Sequence, residues 1–550
     1  MIGQQSHFKP PLFSRKNVIS HLILERNLSS HFQKRNTQLS SVIQLSSTIF
    51  AMFTNALRSL VHSKKNSKSI RKKFHCNKSQ RFYSANLVEN TSVIPECPKP
   101  SFLQSFISLI NYDQAKYLHE TVDKKHQLLG PIYKDQIGPV SAFFVNSSEA
   151  YQKIFRSEGN CPKHFLPEAW LLYNELRQCS RGLLFMDGEE WQHFRRIMNK
   201  LLLFPCNAKE IMTYSCQNAA LCLAEEWEKY DQSIPMPKLE TQLYKWSIEV
   251  MMATLMGSSW VHFKDKIIND ETDRLAQNLH KIFLLTAKFS LLPVKYVMKL
   301  NLPMWRRFVN IVDESLGTVQ ILVPKMAKYQ GDGLLNMMKN EGIDLRDLSR
   351  IVADLIIAAG DTTAYSIQWV LYLLATHPDI QDKIASAAIS MTAEEIMKDQ
   401  YLKGVIKESL RLYPTAPFIT RILPKECSVT GYVIPQNELI VMSLYSSGRN
   451  ANNFPRPNEF LPERWIRNEQ GVYQGVINAY GSIPFALGAR SCIGKKLAEM
   501  QMIFTICELM KKFHIECLNK EKIKMILHLI SVPSEAIQLK FTKRKDNNNN

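Results

Sequence analysis

The stretch with the densest chemistry is Phe485-Ala-Leu-Gly488-Ala-Arg490-Ser-Cys492-Ile-Gly494, which follows Gly481-Ser-Ile-Pro484 and runs into the helix-forming segment Lys495-Lys496-Leu497-Ala498-Glu499-Met500. A cysteine at a loop-to-helix junction has its thiolate favoured by free backbone N–H groups and by the positive end of the helix dipole. Gly488 and Gly494 can take φ > 0 and keep Cβ atoms clear, so a large planar partner can approach the backbone. Arg490 places a cation two residues from the sulfur. These residues suit a haem iron held by one axial thiolate, the ligand type that favours O–O cleavage. A lone cysteine is more often an inert buried thiol, so the reading depends on what the rest of the chain supplies.

Four other groups of residues add to it. Ala358-Ala-Gly-Asp361-Thr362-Thr363 puts an acid and two hydroxyls in the middle of an otherwise apolar helix, where they are costly to bury without partners. Ala359 and Gly360 beside them leave a shallow groove and make a local distortion cheap. Trp191 and Arg195, four apart, share a helix face. An indole N–H and a guanidinium together suit a propionate carboxylate, and the same spacing also describes an ordinary cation–π pair. Glu408 and Arg411, three apart, close an ion pair that Arg464 in Pro462-Glu-Arg464-Trp465 completes as a buried network. Such a network fixes a geometry more than it stabilises one. Lys403 and Lys407, four apart, place like charges on one helix face, which asks for an acidic partner, with a solvated face as the plainer alternative. Lys495 and Lys496 add to that patch.

The elements that position these groups are mostly helical. Residues 86–180 read as short strands and helices, 210–330 as helices by apolar period, and a long helix runs from about Asp344 to His377 before Pro378. Ile282–Pro293 is unusually apolar and is followed by Trp305-Arg-Arg-Phe308. With Lys295, Lys299, Arg306 and Arg307 around it, this region suits contact with a membrane surface, or else forms a plain core helix. No run of about 18 apolar residues suggests a membrane span. The net charge of +19 is concentrated in residues 1–88, where fifteen Lys/Arg face the single acid Glu25, leaving fifty-four against forty-nine in the remainder. A nucleic-acid function therefore loses its main support. The basic, Ser-rich, nearly acid-free leader has the composition of a mitochondrial transit peptide over residues 1–83, with Arg81-Phe-Tyr-Ser84 as its cleavage pattern and Met52 as an alternative start. Residues 84–545 are expected to form the catalytic domain and 546–550 a disordered tail.

These motifs, in this order, resemble the cytochrome P450 monooxygenases over roughly residues 90–540. The resemblance implies a mainly α fold: a large helical domain, a smaller β-rich subdomain, and haem b between the family's I helix, carrying Asp361 and Thr362, and its L helix, which starts after Cys492. It makes Cys492 the axial ligand, with Phe485, Gly488, Arg490 and Gly494 at the fixed positions of the haem loop. Trp191, Arg195, Arg421 and Arg490 would meet the propionates, and Asp361 and Thr362 would guide protons on the oxygen side. Ala359 departs from the glycine common there and would narrow the groove by one methyl. Lys403 and Lys407 match the positions with which mitochondrial members bind an acidic ferredoxin, itself served by an NADPH-dependent reductase. The resemblance also implies O2 as co-substrate and a peripheral place on the matrix side of the inner mitochondrial membrane. The segments Ile357–Tyr365, Ile406–Phe418, Ser443–Tyr445 and Cys517–Asn519 look most like the insect Halloween group, which builds moulting hormone. That implies a steroid substrate, 2-deoxyecdysone, hydroxylated at carbon 2 to ecdysone, the alternative being another sterol or a foreign lipophilic compound.

Overall fold

The computed structural model describes residues 93–98, 115–137, 140–203, 208–262, 271–290, 292–329 and 331–544. The leader, Met52, the cleavage pattern at Arg81 and the tail over 546–550 lie outside the described residues. Those described belong to one unit, Asn90–Asn550.

Helix α1 (Leu118–Leu129) leads into a hairpin of β1 (Ile132–Ile137) and β2 (Val140–Val145). Short helices α2 (Ser148–Arg156) and α3 (Glu168–Arg177) follow, then the longer α4 (Gly188–Leu202), α5 (Ala208–Trp227), α6 (Leu239–Met256) and α7 (Glu271–Phe289). Beyond α8 (Val294–Lys299) come α9 (Pro303–Met326), α10 (Leu334–Asn340), α11 (Leu345–Ala375), α12 (Pro378–Ala388), α13 (Ala393–Lys398) and α14 (Gln400–Leu412). Strands β3 (Phe418–Ile422) and β6 (Leu439–Ser443), separated in the chain by the antiparallel pair β4 (Cys427–Val429) and β5 (Tyr432–Ile434), complete a four-stranded sheet of order β1-β2-β6-β3, in which only β2 and β6 run parallel. After α15 (Leu444–Gly448), a long irregular stretch reaches α16 (Lys495–Lys512) and two terminal pairs, β7 (Phe513–Cys517) with β10 (Leu539–Lys543) and β8 (Met525–His528) with β9 (Ile530–Pro533).

Helix α11 is the axis of the molecule. Asp344 caps it by accepting the Asp347 N–H at 2.7 Å, and Pro378 opens α12 as soon as α11 has ended, since proline tolerates the first turn of a helix and not its interior. Along α11, Ile351, Ile356, Ile367, Val370 and Leu374 are fully buried. The helix packs along α6 and also touches α7, α9, α14 and α16.

The small residues on α11 do not form the groove expected of them. A Cβ on Gly360 would lie 2.6 Å from the Tyr244 hydroxyl of α6, and Ser247 donates to the Ala359 carbonyl at 2.9 Å. The space Gly360 leaves is taken by a tyrosine of the neighbouring helix, so it serves helix–helix approach.

The apolar stretch before Pro293 ends α7. Phe289 joins Trp305, Phe308 and Trp170 in one aromatic cluster, with Trp305 and Phe308 buried in the core. The apolar residues turned outward beside Lys295 and Lys299 are Tyr296, Leu300 and Leu302. Among the described residues no helix is long and apolar enough to cross a membrane.

Candidate active site

Cys492 sits in a loop closed on itself: its N–H donates to the Phe485 carbonyl at 2.8 Å, and the Ser491 N–H to that of Gly488 at 3.2 Å. Gly488 has φ +77°, the left-handed region that glycine occupies without cost. A Cβ there would lie 1.9 Å from Glu158 Oε1. Glu158 also accepts the Ala489 N–H at 2.7 Å and the Arg421 Nε–H at 2.6 Å. The clearance at Gly488 thus admits a buried carboxylate that pins the loop to the segment after α2. Gly494 differs from expectation, with φ −84°: it caps α16, and a Cβ on it would stand 4.0 Å from Cys492 Sγ.

The thiol is exposed and yet lies deep in the protein, because it faces a cavity rather than bulk water. Burial pushes it above the ordinary thiol range; the Gly494 N–H and the Arg195 charge oppose that shift without cancelling it. Desolvation therefore outweighs the helix-end effect anticipated for a thiolate, and a coordinated cation would supply the ionisation.

The cavity, about 400 Å³, brings together Cys492, Thr362 and Ala358 of α11, and Ile282, Phe283 and Thr286 of α7. On one side it collects cations. Arg195 donates to the Ser491 carbonyl at 2.7 Å and keeps a buried Nε without a partner. Arg490 lies 4.2 Å from the Trp191 ring and donates to the Met186 carbonyl at 2.8 Å, to Asp187 at 3.3 Å and to the Pro162 carbonyl. Trp191 therefore makes its cation–π contact with Arg490 rather than with Arg195. Arg421 reaches the cavity wall with its Nε already held by Glu158. His164, for which the sequence gave no local signal, lines the same wall with an unpartnered Nε2; burial, then Arg490 and Arg421, lowers its pKa to about 4. Burial, with Arg421 and Arg195 adding to it, likewise brings Arg490 down to about 10 against the opposing pull of Asp187.

Clustered buried cations, with an open Nε on Arg195 and an open Nε2 on His164 beside them, lack an anion. A thiol for a metal and open donors for carboxylates, on one cavity, fit iron protoporphyrin: Cys492 would hold the iron, and Arg195, Arg490, His164 and Trp191 would hold the propionates. Phe485 is not part of the cavity wall; it lies 5.8 Å under the Lys495 ammonium.

Thr362 faces the cavity and donates to the Ala358 carbonyl at 2.5 Å. Asp361 does not reach the cavity. Fully buried, it points toward Tyr244 and Glu240 of α6, and neither carboxyl oxygen has a partner in hydrogen-bond geometry. Burial raises its pKa to about 7, with the nearby Tyr244 hydroxyl pulling down and Glu240 pushing up.

Behind the thiol loop, Glu408 is saturated. Arg411 forks onto it at 2.8 and 2.7 Å, Arg464 Nε donates at 2.7 Å, and Trp465 Nε1 at 2.8 Å. The Trp465 contact was missed, although Trp465 directly follows Arg464. Gly404 lets α14 approach this segment, since a Cβ would meet the Pro462 carbonyl at 2.5 Å.

Lys403 and Lys407 are half-buried on α14. Lys407 donates to the Tyr473 hydroxyl at 3.2 Å and lies 5.5 Å from the Trp465 ring. With Lys495 they surround Glu499, whose pKa burial raises and these lysines lower. Lys496 leaves the patch to bond the Leu203 carbonyl. A larger cleft of about 1230 Å³, between Tyr372, Arg449 and Glu459, holds neither Cys492 nor Thr362, so size alone does not locate the chemistry.

The family model described as Cytochrome P450 matches residues 95–541. "Cytochrome P450 315a1, mitochondrial" of Drosophila melanogaster is 35% identical over 476 residues, covering 82% of this chain and 89% of that protein. The cholesterol side-chain cleavage enzyme, mitochondrial, of Oncorhynchus mykiss is 26% identical, covering 83% of this chain and 91% of its own. The 1,25-dihydroxyvitamin D(3) 24-hydroxylase, mitochondrial, of Rattus norvegicus is also 26% identical, covering 83% and 90%. Among solved structures, the retinoic acid-bound cyanobacterial CYP120A1 superposes with a TM-score of 0.66 at 19% identity, covering 82% of this chain and all of that one, a likeness of fold.

Proposed function

The chain belongs to the cytochrome P450 family, and from that premise we propose that it hydroxylates a steroid, converting 2-deoxyecdysone to ecdysone at carbon 2 with electrons from a mitochondrial ferredoxin. It is a haem b monooxygenase, mostly helical, with a small β-rich part. When bound, haem b supplies the iron at which O2 is reduced, so that one oxygen atom enters a C–H bond and the other leaves as water at the expense of two electrons and two protons.

The side chains divide the remaining work. Cys492 presents its sulfur to the cavity, and Arg195 and Arg490 present donors to carboxylates beside it. Thr362 holds its hydroxyl on the cavity face through the Ala358 carbonyl. Asp361 lies on the α6 side of α11, sealed from the cavity, with its pKa raised by burial to about 7. Ile282 and Phe283 of α7 roof the cavity and keep water out. Outside it, Lys403 and Lys407 offer positive charge to an acidic electron donor, and Tyr296 and Leu300 beside Lys295 and Lys299 offer a peripheral contact to the matrix face of the inner membrane.

The observation that carries the chemistry is the meeting of Cys492 and Thr362 on one cavity with clustered cations and the open Nε of Arg195. Support for the steroid comes from the Halloween-like segments around Asp361, Glu408 and Tyr445 and from relatives named for cholesterol and vitamin D chemistry. The relatives' mitochondrial names and the basic leader support the compartment. Incubation with ferredoxin, reductase, NADPH and 2-deoxyecdysone, followed by mass-spectral analysis, is expected to yield ecdysone. Hydroxylation of other sterols or foreign lipophiles with 2-deoxyecdysone untouched would sink the carbon-2 assignment.

A further inference from the structure

Part of the cavity wall does not match the rest. Phe185, Ile282, Phe283, Ile351 and Leu355 make another part of the wall apolar, and the same wall holds one ion pair, Arg181 with Asp354. Arg181, on the connection before α4, donates through Nη2 to Asp354 Oδ1 of α11 at 2.7 Å, their side chains being 3% and 8% exposed. The guanidinium is clamped between the rings of Trp170 at 4.6 Å and Phe185 at 4.9 Å. Gly182 next to it presses on α11, where a Cβ would lie 2.6 Å from the Arg350 carbonyl and 2.9 Å from Asp354 Oδ2. The pair is held rigidly from three sides.

It is also incompletely used. Arg181 Nε and Nη1 are buried without hydrogen-bond partners, and Asp354 Oδ2 has none in full hydrogen-bond geometry, although the Gly182 and Leu184 N–H groups lie near the carboxylate and favour its charged form. A buried ion pair recovers its desolvation only when its remaining donors and acceptors are bonded, and each unmet group adds its own penalty. A cavity meant for a hydrocarbon alone would be better lined here by two apolar side chains. Spare donors beside a spare acceptor are the complement of a hydroxyl, or of a keto oxygen next to one.

We propose that Arg181 and Asp354 form a polar subsite that selects oxygen-bearing steroids, the guanidinium donating to a substrate oxygen and Asp354 Oδ2 accepting a substrate hydroxyl proton. This rests on the reading of the cavity as the substrate site, and it deepens that reading from a steroid to a polyhydroxylated one. A site built to bond a hydroxyl rejects analogues lacking it far more strongly than an apolar pocket distinguishes methylenes.

The test measures spectral binding of 2-deoxyecdysone, 20-hydroxyecdysone and cholesterol to the haem-loaded enzyme. Losing one partner strands the other's charge, so the main variant is the double replacement Arg181→Met with Asp354→Leu. Arg181→Lys, which keeps the charge and loses the planar fork, is the second, in case the double variant fails to take up haem. The wild type is expected to prefer the two ecdysteroids over cholesterol. The double variant is expected to lose about 10²-fold or more of that preference, with cholesterol binding unchanged or tighter, and Arg181→Lys to lose part of it. No preference in the wild type, or an equal change for all three steroids, would overturn the subsite and make the pair a brace between the loop and α11. Failure of the carbon-2 assignment would look different: polar preference and its loss would persist, without a carbon-2 product.

Discussion

Asp361 and Thr362 are neighbours on α11 that face different surroundings, and one helical step separates a cavity hydroxyl from a sealed carboxyl. The consequence is thermodynamic as well as chemical. Burial lifts Asp361 from an ordinary 3.8 to about 7. Between those values the folded protein keeps a proton that the unfolded chain gives up, so this contribution to stability is whole below about pH 4, shrinks as pH rises to about 7, and is then lost. The full span is worth roughly 4 kcal/mol at most. Asp361→Asn is expected to flatten the decline: its thermal midpoint should gain on the wild type between about pH 5 and 7 and hold a constant lead above. Parallel curves would place the titration elsewhere. At this scale the sequence was informative where a residue's role is local. The Glu408–Arg411 ion pair could be read from its spacing, and Cys492 and Thr362, which share one cavity, could be singled out from their neighbours. Glu158, His164 and the Arg181–Asp354 pair could not, because their partners lie far along the chain and nothing beside them announces the contact.

Between elements, the contact of α6 with α11 sets tight limits. Gly360→Ala gains about 1 kcal/mol of helix propensity, but the added methyl meets Tyr244 Oη at 2.6 Å and the rigid ring carbon behind it at 2.9 Å. Overpacking of that kind costs about 1–3 kcal/mol, so net destabilisation is expected in thermal unfolding, and Tyr244→Leu should restore stability to the Gly360→Ala protein. Additive effects of the two substitutions would show that the helices do not meet there. Helix ends were legible because Asp344 and Pro378 carry their signals locally. The glycine was misread, because a sequence shows that a side chain is missing but not which neighbour fills the gap. The parallel pairing of β2 with β6, whose residues lie some three hundred positions apart, had no sequence signal at all.

For the molecule as a whole, charge is unevenly distributed. Beyond residue 88 the chain is nearly balanced, so the lysines around Glu499 make a local patch on a weakly charged body. Attraction between exposed charges weakens with salt. Lys403→Glu with Lys407→Glu should lower ferredoxin affinity about tenfold or more and flatten its salt dependence. Lys403→Glu alone serves as the milder control, since Lys407 also braces Tyr473. Unchanged affinity in both would remove this face as the docking site. The thiol loop carries a consequence of another kind. Glu158 bonds Arg421, 263 positions later, and Ala489, 331 positions later. Contacts so distant are made only after long loops have closed, which is slow. As the chain leaves the ribosome or threads through a translocation pore, its sulfur-bearing hollow has no shape until almost the last helix has emerged. Cofactor capture is then the closing act of biogenesis, and the compartment in which the C-terminal end arrives is the one that must have haem to give.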